Sequence, residues 1–131
     1  MSTVVLDAGA LIALDRNDRA TWALLRAAAD GGDLVLVPTG ALGQAWRGGS
    51  RQALLSRALD RREEVPLDGV VGRSAGMLCA RTGTSDVIDA SVALAAAGAM
   101  RQGPVVVLTS DGDDLTRLTS GLRRRIDLVE V

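Results

Sequence analysis

Four aspartates offer this chain its chemistry. Asp7 closes the apolar run "VVLD", Asp111 closes "VVVLTSD", and Asp86 and Asp89 open the helical stretch "SDVIDASVALAA". A spacing of three puts Asp86 and Asp89 on one face of a helix, in its first turn. Asp113 and Asp114 follow Asp111 within a turn. If the two strands are parallel neighbours, all four carboxylates meet at one sheet edge. Two carboxylates ~4 Å apart repel by about 4 kcal/mol at an effective dielectric of 20, a heavy load for a domain of marginal stability. Arginine pairing, protonation or a hard cation relieves it. Oxygen-only ligands suit Mg²⁺ or Mn²⁺. One or two such ions activate water and hold a phosphodiester for in-line attack.

A structural reading stands beside the chemical one at each position. Asp86 is either a ligand or the helix N-cap, with Ser85 an alternative cap. Asp7 is either a ligand or the cap of the next helix. Asp111 fits an Asx-turn, and Asp113 and Asp114 fit capping or solvated positions. Asp89 fits capping less well, because it lies among Val87, Ile88 and Val92.

The elements that must carry these residues alternate regularly. "STVVLD", "DLVLVP" and "PVVVLTSD" read as buried strands, "IDLVEV" as a last strand, and "EEVPL" as a short edge strand limited by Pro66. Helices are expected over "AGALIALD", "RATWALLRAAAD" (stopped by Gly31–Gly32), "GALGQAWR" (capped by Thr39, ended by Gly48–Gly49), "SRQALLSRALDRR", "DGVVGRSAGMLCARTG", "SDVIDASVALAAAGAMRQG" and "GDDLTRLTSGL". Strand–helix alternation marks an α/β domain with a mostly parallel sheet covered on both faces. Ligands of such sheets sit at the carboxyl ends of the strands. The 131 residues fit one domain, 1–131.

Composition excludes several chemistries. There is no histidine and a single cysteine, Cys79. Ser-His-Asp and Cys-His catalysis, histidine metal ligation and cysteine zinc sites are therefore out. All 15 basic residues are arginine, and only Glu63, Glu64 and Glu130 among the 16 acids are not aspartate. A net charge of −1 excludes a strongly basic nucleic-acid binder but leaves room for a local arginine face. No apolar run is long enough for a membrane span and no signal-peptide pattern is present, so the expectation is a cytoplasmic protein with no membrane partner.

These motifs resemble the PIN domains, and most closely the VapC-type toxins of bacterial toxin–antitoxin pairs. "VVLDAGALIAL" resembles the family's opening strand, metal-binding Asp and first helix. "DASVALAA" resembles its "DAxIAA" helix, and "VVVLTSDGDDL" its last acidic strand end. The resemblance runs over nearly the whole chain. It implies a PIN-like three-layer domain with a central, mostly parallel sheet of about five strands flanked by helices. It implies a metal-dependent endoribonuclease that cuts structured RNA such as tRNA or rRNA, using Mg²⁺ or Mn²⁺. In that reading Asp7, Asp89 and Asp111 hold the metal and serve catalysis, with Asp86, an extra acid that some subfamilies carry, as a further catalytic ligand, and Gln44 and Asp114 support them. A cognate antitoxin and a homodimer are also implied.

One position departs. The family pattern places a Glu on the helix after the second strand, and "PTGALGQAWR" puts Gln44 there. Gln44 can hydrogen-bond a water but brings no negative charge and cannot act as a base. The second expectation is accordingly a catalytically weak or inactive PIN-fold module that binds RNA or protein. Phosphate contacts are expected from Arg47 and Arg51, with Arg16 and Arg19 after the first helix. Arg123 to Arg125 read as a charged turn. Trp22 and Trp46 are either core or interface filler or surfaces on which a base stacks. Cys79 reads as a small buried residue. A phosphoryl-accepting receiver domain is excluded by the absence of lysine and of paired acids after the first strand.

Overall fold

The computed structural model describes residues 2–122 and 125–131; Arg123 and Arg124, part of the expected charged turn, lie outside the described residues. Five strands, β1 (Thr3–Leu6), β2 (Leu34–Pro38), β3 (Glu63–Val65), β4 (Val105–Thr109) and β5 (Ile126–Glu130), form one sheet in the order β3-β2-β1-β4-β5. Every pairing is parallel. β1 is buried at all four positions, as a central strand covered on both faces must be. β3 is an edge strand, with Pro66 immediately after it, as expected.

The helices are α1 (Ala8–Asp15), α2 (Arg19–Asp30), α3 (Thr39–Ala45), α4 (Ala53–Leu59), α5 (Gly69–Thr82), α6 (Val87–Ala99) and α7 (Gly112–Leu118). Helix α1 packs on β1 and β4 and against α2, α3 and α4, while α6 packs on β1, β2 and β4 and against α5 and α7. The fully buried Leu6, Leu11, Leu14, Val37, Val92, Val105 and Leu108 join these layers. No helix among the described residues is long and apolar enough to cross a membrane.

The excess of aspartate over glutamate has a structural cause. Asp7, Asp18, Asp68, Asp86 and Asp111 are the N-caps of α1, α2, α5, α6 and α7, each accepting from a backbone N–H of the first turn. The short aspartate side chain reaches those unpaired donors.

Several boundaries differ from the sequence reading. Thr39 is not a cap: Pro38 occupies that position without a side-chain bond, and the Thr39 hydroxyl instead accepts from Leu67 N–H at 3.0 Å. Helix α3 stops at Ala45, ahead of Gly48–Gly49, because Trp46 is extended. The stretch "SRQALLSRALDRR" opens as a 3-10 turn, Ser50–Gln52, and is α-helical only through Leu59. β4 ends at Thr109, so Asp111 stands two residues beyond the strand.

Candidate metal centre

β1 and β4 lie side by side in register, with Leu6 opposite Leu108. Asp7 and the segment Ser110–Asp111 therefore leave the sheet at the same carboxyl edge. The Asp7 carboxylate is committed on both oxygens. Oδ1 accepts from Ala10 N–H at 2.8 Å, and Oδ2 accepts from Ser110 N–H at 3.2 Å. The fully buried Thr109 hydroxyl bonds to Asp7 and accepts from Asp111 N–H at 2.8 Å, linking the two acid-bearing turns. Gly9 makes this closeness possible: a Cβ there would lie 1.8 Å from Ser110 Oγ and 2.3 Å from Ser110 Cβ. Burial pushes the Asp7 pKa up, against the hydrogen bonds from Thr109, Ala10, Ser110 and Gly9.

Asp89 is the centre of the arrangement. It sits in the first turn of α6, 9% exposed, and its Oδ2 is buried with no hydrogen-bond partner. Desolvation first, then repulsion from Asp86, hydrogen-bonding contact and repulsion from Asp111, and repulsion from Asp7 push its pKa up to about 7. Ligand oxygens of Asp89, Asp111 and Asp114 all lie within 4.8 Å of one another. Asp111 is exposed and Asp114 half-buried, so the group opens from a buried base to solvent. Exposed Asp113 is not part of it.

Asp86 caps α6: its Oδ1 accepts from Ile88 N–H at 2.9 Å and Asp89 N–H at 3.0 Å. Ser85 is not the cap. Gln44 is exposed on α3. It lies one turn beyond Gly40 on the same helical stripe, and a Cβ on Gly40 would meet Ile88 Cδ1 at 2.8 Å. That closeness, with α3 packed on α6, brings the start of α3 to the first turn of α6.

The arginines fall elsewhere. Arg16 is the C-cap of α1 and lines a hollow that also touches Gly9 and Ser110, the neighbours of Asp7. Arg47 and Arg51 are exposed in the connection between α3 and α4, which is tied to Asp15 at the far end of α1. Arg19 lines a hollow of about 700 Å³ between α2 and α4, together with Arg26, Arg57, Arg61 and Arg62. Trp22 is half-buried, with its Nε1–H donated to Leu14 O at 2.9 Å, while Trp46 is 41% exposed. Cys79 is buried as expected.

Sequence reasoning missed Gln52. It is 6% exposed and uses both ends of its amide. Oε1 accepts from Arg47 N–H and Gly48 N–H; Nε2 donates to Ala45 O and Asp15 Oδ2. Its position within an arginine-rich stretch expected to be helical gave no sign of burial.

An all-parallel five-stranded sheet whose carboxyl edge gathers carboxylates from the head of α6, the turn after β4 and the start of α7, with Asp7 at the end of β1 beside them, is a PIN-like α/β architecture. No family model matches the chain, and no curated protein matches it in sequence. Among solved structures, it is similar to a chain of the VapBC2 complex from Rickettsia felis, crystallised bound to a DNA fragment from the promoter. The identity is 14%, 98% of each chain is covered and the TM-score is 0.65. That likeness establishes the fold and agrees with the resemblance drawn from the three acidic motifs.

Proposed function

We propose that the chain is the toxin of a VapBC-type pair, a metal-dependent endoribonuclease acting on structured RNA such as tRNA or rRNA. The observation that carries this reading is Asp89, whose Oδ2 is buried without a partner and whose carboxylate is grouped with those of Asp111 and Asp114. A solvated surface cluster has no reason to hold one oxygen out of water without a donor. The donor set is oxygen-only and anionic, which fits Mg²⁺ or Mn²⁺. Asp89 and Asp111 would hold the ion, with Asp7 behind them and Asp114 at the rim. When bound, such an ion supplies charge neutralisation at the phosphate and acidifies a water.

The chain's own residues do the rest. Asp7 and Thr109 fix the turn that presents Asp111. Asp86 holds the head of α6, and so Asp89, in place. Gln44 can orient a water through its amide. Arg16, in the hollow that touches Gly9 and Ser110, and Arg47 and Arg51, on the connection from α3 to α4, contribute phosphate contacts, since guanidinium groups supply sequence-independent affinity.

An antitoxin completes the proposal. The hollow between α2 and α4 sets five arginines against one carboxylate, Asp60, over an apolar floor of Trp22, Leu25 and Leu54. An acidic, partly apolar segment fits that chemistry. A homodimer would cover Val70 and Met77, which are 72% and 62% exposed and seven residues apart on α5. A cytoplasmic setting follows from an RNA substrate. Gln44 favours a second reading, a binding module of the same fold with little or no cutting, because an exposed amide there adds no charge to the cluster.

The deciding experiment incubates purified protein with total tRNA and rRNA plus Mn²⁺ or Mg²⁺, beside Asp89→Asn and Asp111→Asn. Cutting by the parent and not by the variants supports the nuclease. Intact RNA with every ion tested, together with tight RNA or antitoxin binding, moves the assignment to the second reading.

A further inference from the structure

We infer that Trp46 is a stacking platform for an unpaired nucleobase, held in place by the buried Gln52; the inference rests on the RNA-cutting reading above. The chain has two tryptophans and no Phe or Tyr. Trp22 is packed against the core and tethered by its indole N–H to Leu14 O. Trp46 is 41% exposed, and no hydrogen bond holds its indole N–H among the described residues.

The segment that presents Trp46 is clamped rather than loose. Gln52 Nε2 donates to Ala45 O at 2.9 Å, just before Trp46. Gln52 Oε1 accepts from Arg47 N–H at 2.7 Å and Gly48 N–H at 2.8 Å, just after it. One side chain thus fixes the backbone on both sides of the ring. Arg47 folds its guanidinium back onto Gly43 O and Trp46 O. A rigid aromatic loses little freedom on binding, which is what a stacking surface requires.

The surroundings select the partner. Leu24, Trp46, Val70, Met77 and Val87 are the exposed large apolar side chains among the described residues, and only Trp46 belongs to the segment from α3 to α4. A protein-docking patch needs contiguous apolar surface. A single ring on a segment that also carries exposed Arg47 and Arg51 is instead the combination that binds single-stranded nucleic acid, with stacking on the ring and phosphate contacts from the same segment. The segment is anchored to Asp15 by Gln52 at 3.2 Å. Asp7 caps the other end of the same eight-residue helix, roughly 12 Å away at 1.5 Å per residue. A strand cut at the acids reaches the ring within a few nucleotides.

The test uses a Trp22→Phe background, in which Trp46 is the sole emitter. Metal-free protein is titrated with an unstructured oligoribonucleotide and with a blunt RNA duplex of equal length. Quenching by the single strand is expected. Trp46→Ala should weaken single-strand binding about five-fold or more, Trp46→Phe should retain most of it, and duplex binding should not change. Gln52→Ala, compared where circular dichroism shows it folded, should lose quenching. Unchanged emission at saturation, equal single-strand affinity of Trp46→Ala, or an equal loss for duplex overturns the platform. Mn²⁺-dependent tRNA cutting by the same preparation shows whether the nuclease reading survives that failure; absence of both binding and cutting sinks the two together.

Discussion

Ser110 donates its backbone N–H to Asp7 Oδ2 at 3.2 Å, joining two turns 103 residues apart in the chain. The bond exists because Gly9 has no side chain. β1 and β4 bring the two turns to the same edge, but the last few ångströms of approach depend on the absence of one Cβ.

Gly9→Ala tests that dependence. The new Cβ would meet Ser110 Oγ, Cβ and backbone N at 1.8, 2.3 and 3.1 Å, so rotating the hydroxyl away does not clear it. Overpacking of this kind costs about 2 kcal/mol, more than the helix-propensity gain of alanine over glycine returns. The melting temperature should fall by several degrees. Gly9→Ala/Ser110→Gly removes the two closest atoms and should recover most of the loss, a coupling that thermal melts of the four proteins measure directly. Additive losses would mean that the two turns are not in contact.

Asp89 gives the metal-free protein an unusual pH dependence. Its folded pKa is raised from 3.8 to about 7. Between those values the folded chain holds a proton that the unfolded chain has released, so this group's contribution is full below about 3.8 and is lost as pH rises through 7. Asp7 is shifted in the same direction. Melting temperature without metal should therefore fall from pH 5 to pH 8, and Asp89→Asn should remove much of that slope. Mn²⁺ competes with the proton for the same oxygens, so its stabilisation should be larger at pH 8 than at pH 5. An Mn²⁺ effect that is the same at both pH values would contradict a site centred on Asp89.

Much of this arrangement was legible in the sequence. Runs such as "VVVLT" and "LVLVP" are too apolar and too short for anything but buried strands, and their alternation with helices left few topologies. Asp7, Asp89 and Asp111 converge because parallel strands and a following helix deliver their ends to one edge. Details set by tertiary contact were not legible. Thr39 looks like a cap, yet its hydroxyl answers Leu67, 28 residues away. Gln52 looks like a surface residue of an amphipathic helix, yet four hydrogen bonds draw it inside. Asp113 and Asp114 are equivalent by charge and capping chemistry, and only the motif resemblance set Asp114 apart. The start of α7 at Gly112 is what turns Asp114 toward Asp89 and Asp111.

Gln44→Glu would return a carboxylate to the position the family pattern reserves for one. Gln44 is exposed, so the change should leave metal-free stability within about 0.5 kcal/mol. The start of α3 lies against the head of α6 through Gly40 and Ile88; if Gln44 one turn on reaches the acid cluster, the added charge should tighten Mn²⁺ binding several-fold by calorimetry and raise any RNA cutting. Unchanged affinity would place Gln44 outside the reach of the ion and remove the main ground for reading this chain as a weakened nuclease.

Asp86 can be divided between its two roles by chemistry that keeps one and removes the other. Its Oδ1 accepts from Ile88 and Asp89 N–H, a capping task that asparagine performs about as well as aspartate. Asp86→Asn should melt within a degree or two of the parent, whereas Asp86→Ala should lose about 1 kcal/mol, or ~4 °C for a chain of this size. The asparagine variant also removes the strongest charge repulsion on Asp89, so Asp89 should titrate lower and the pH slope of stability should flatten. If Asp86 acts on the ion only through the head of α6, Asp86→Asn keeps most of the Mn²⁺-induced rise in melting temperature while Asp89→Asn loses it. A rise abolished equally by both would make Asp86 a ligand in its own right, supplying the carboxylate that Gln44 does not.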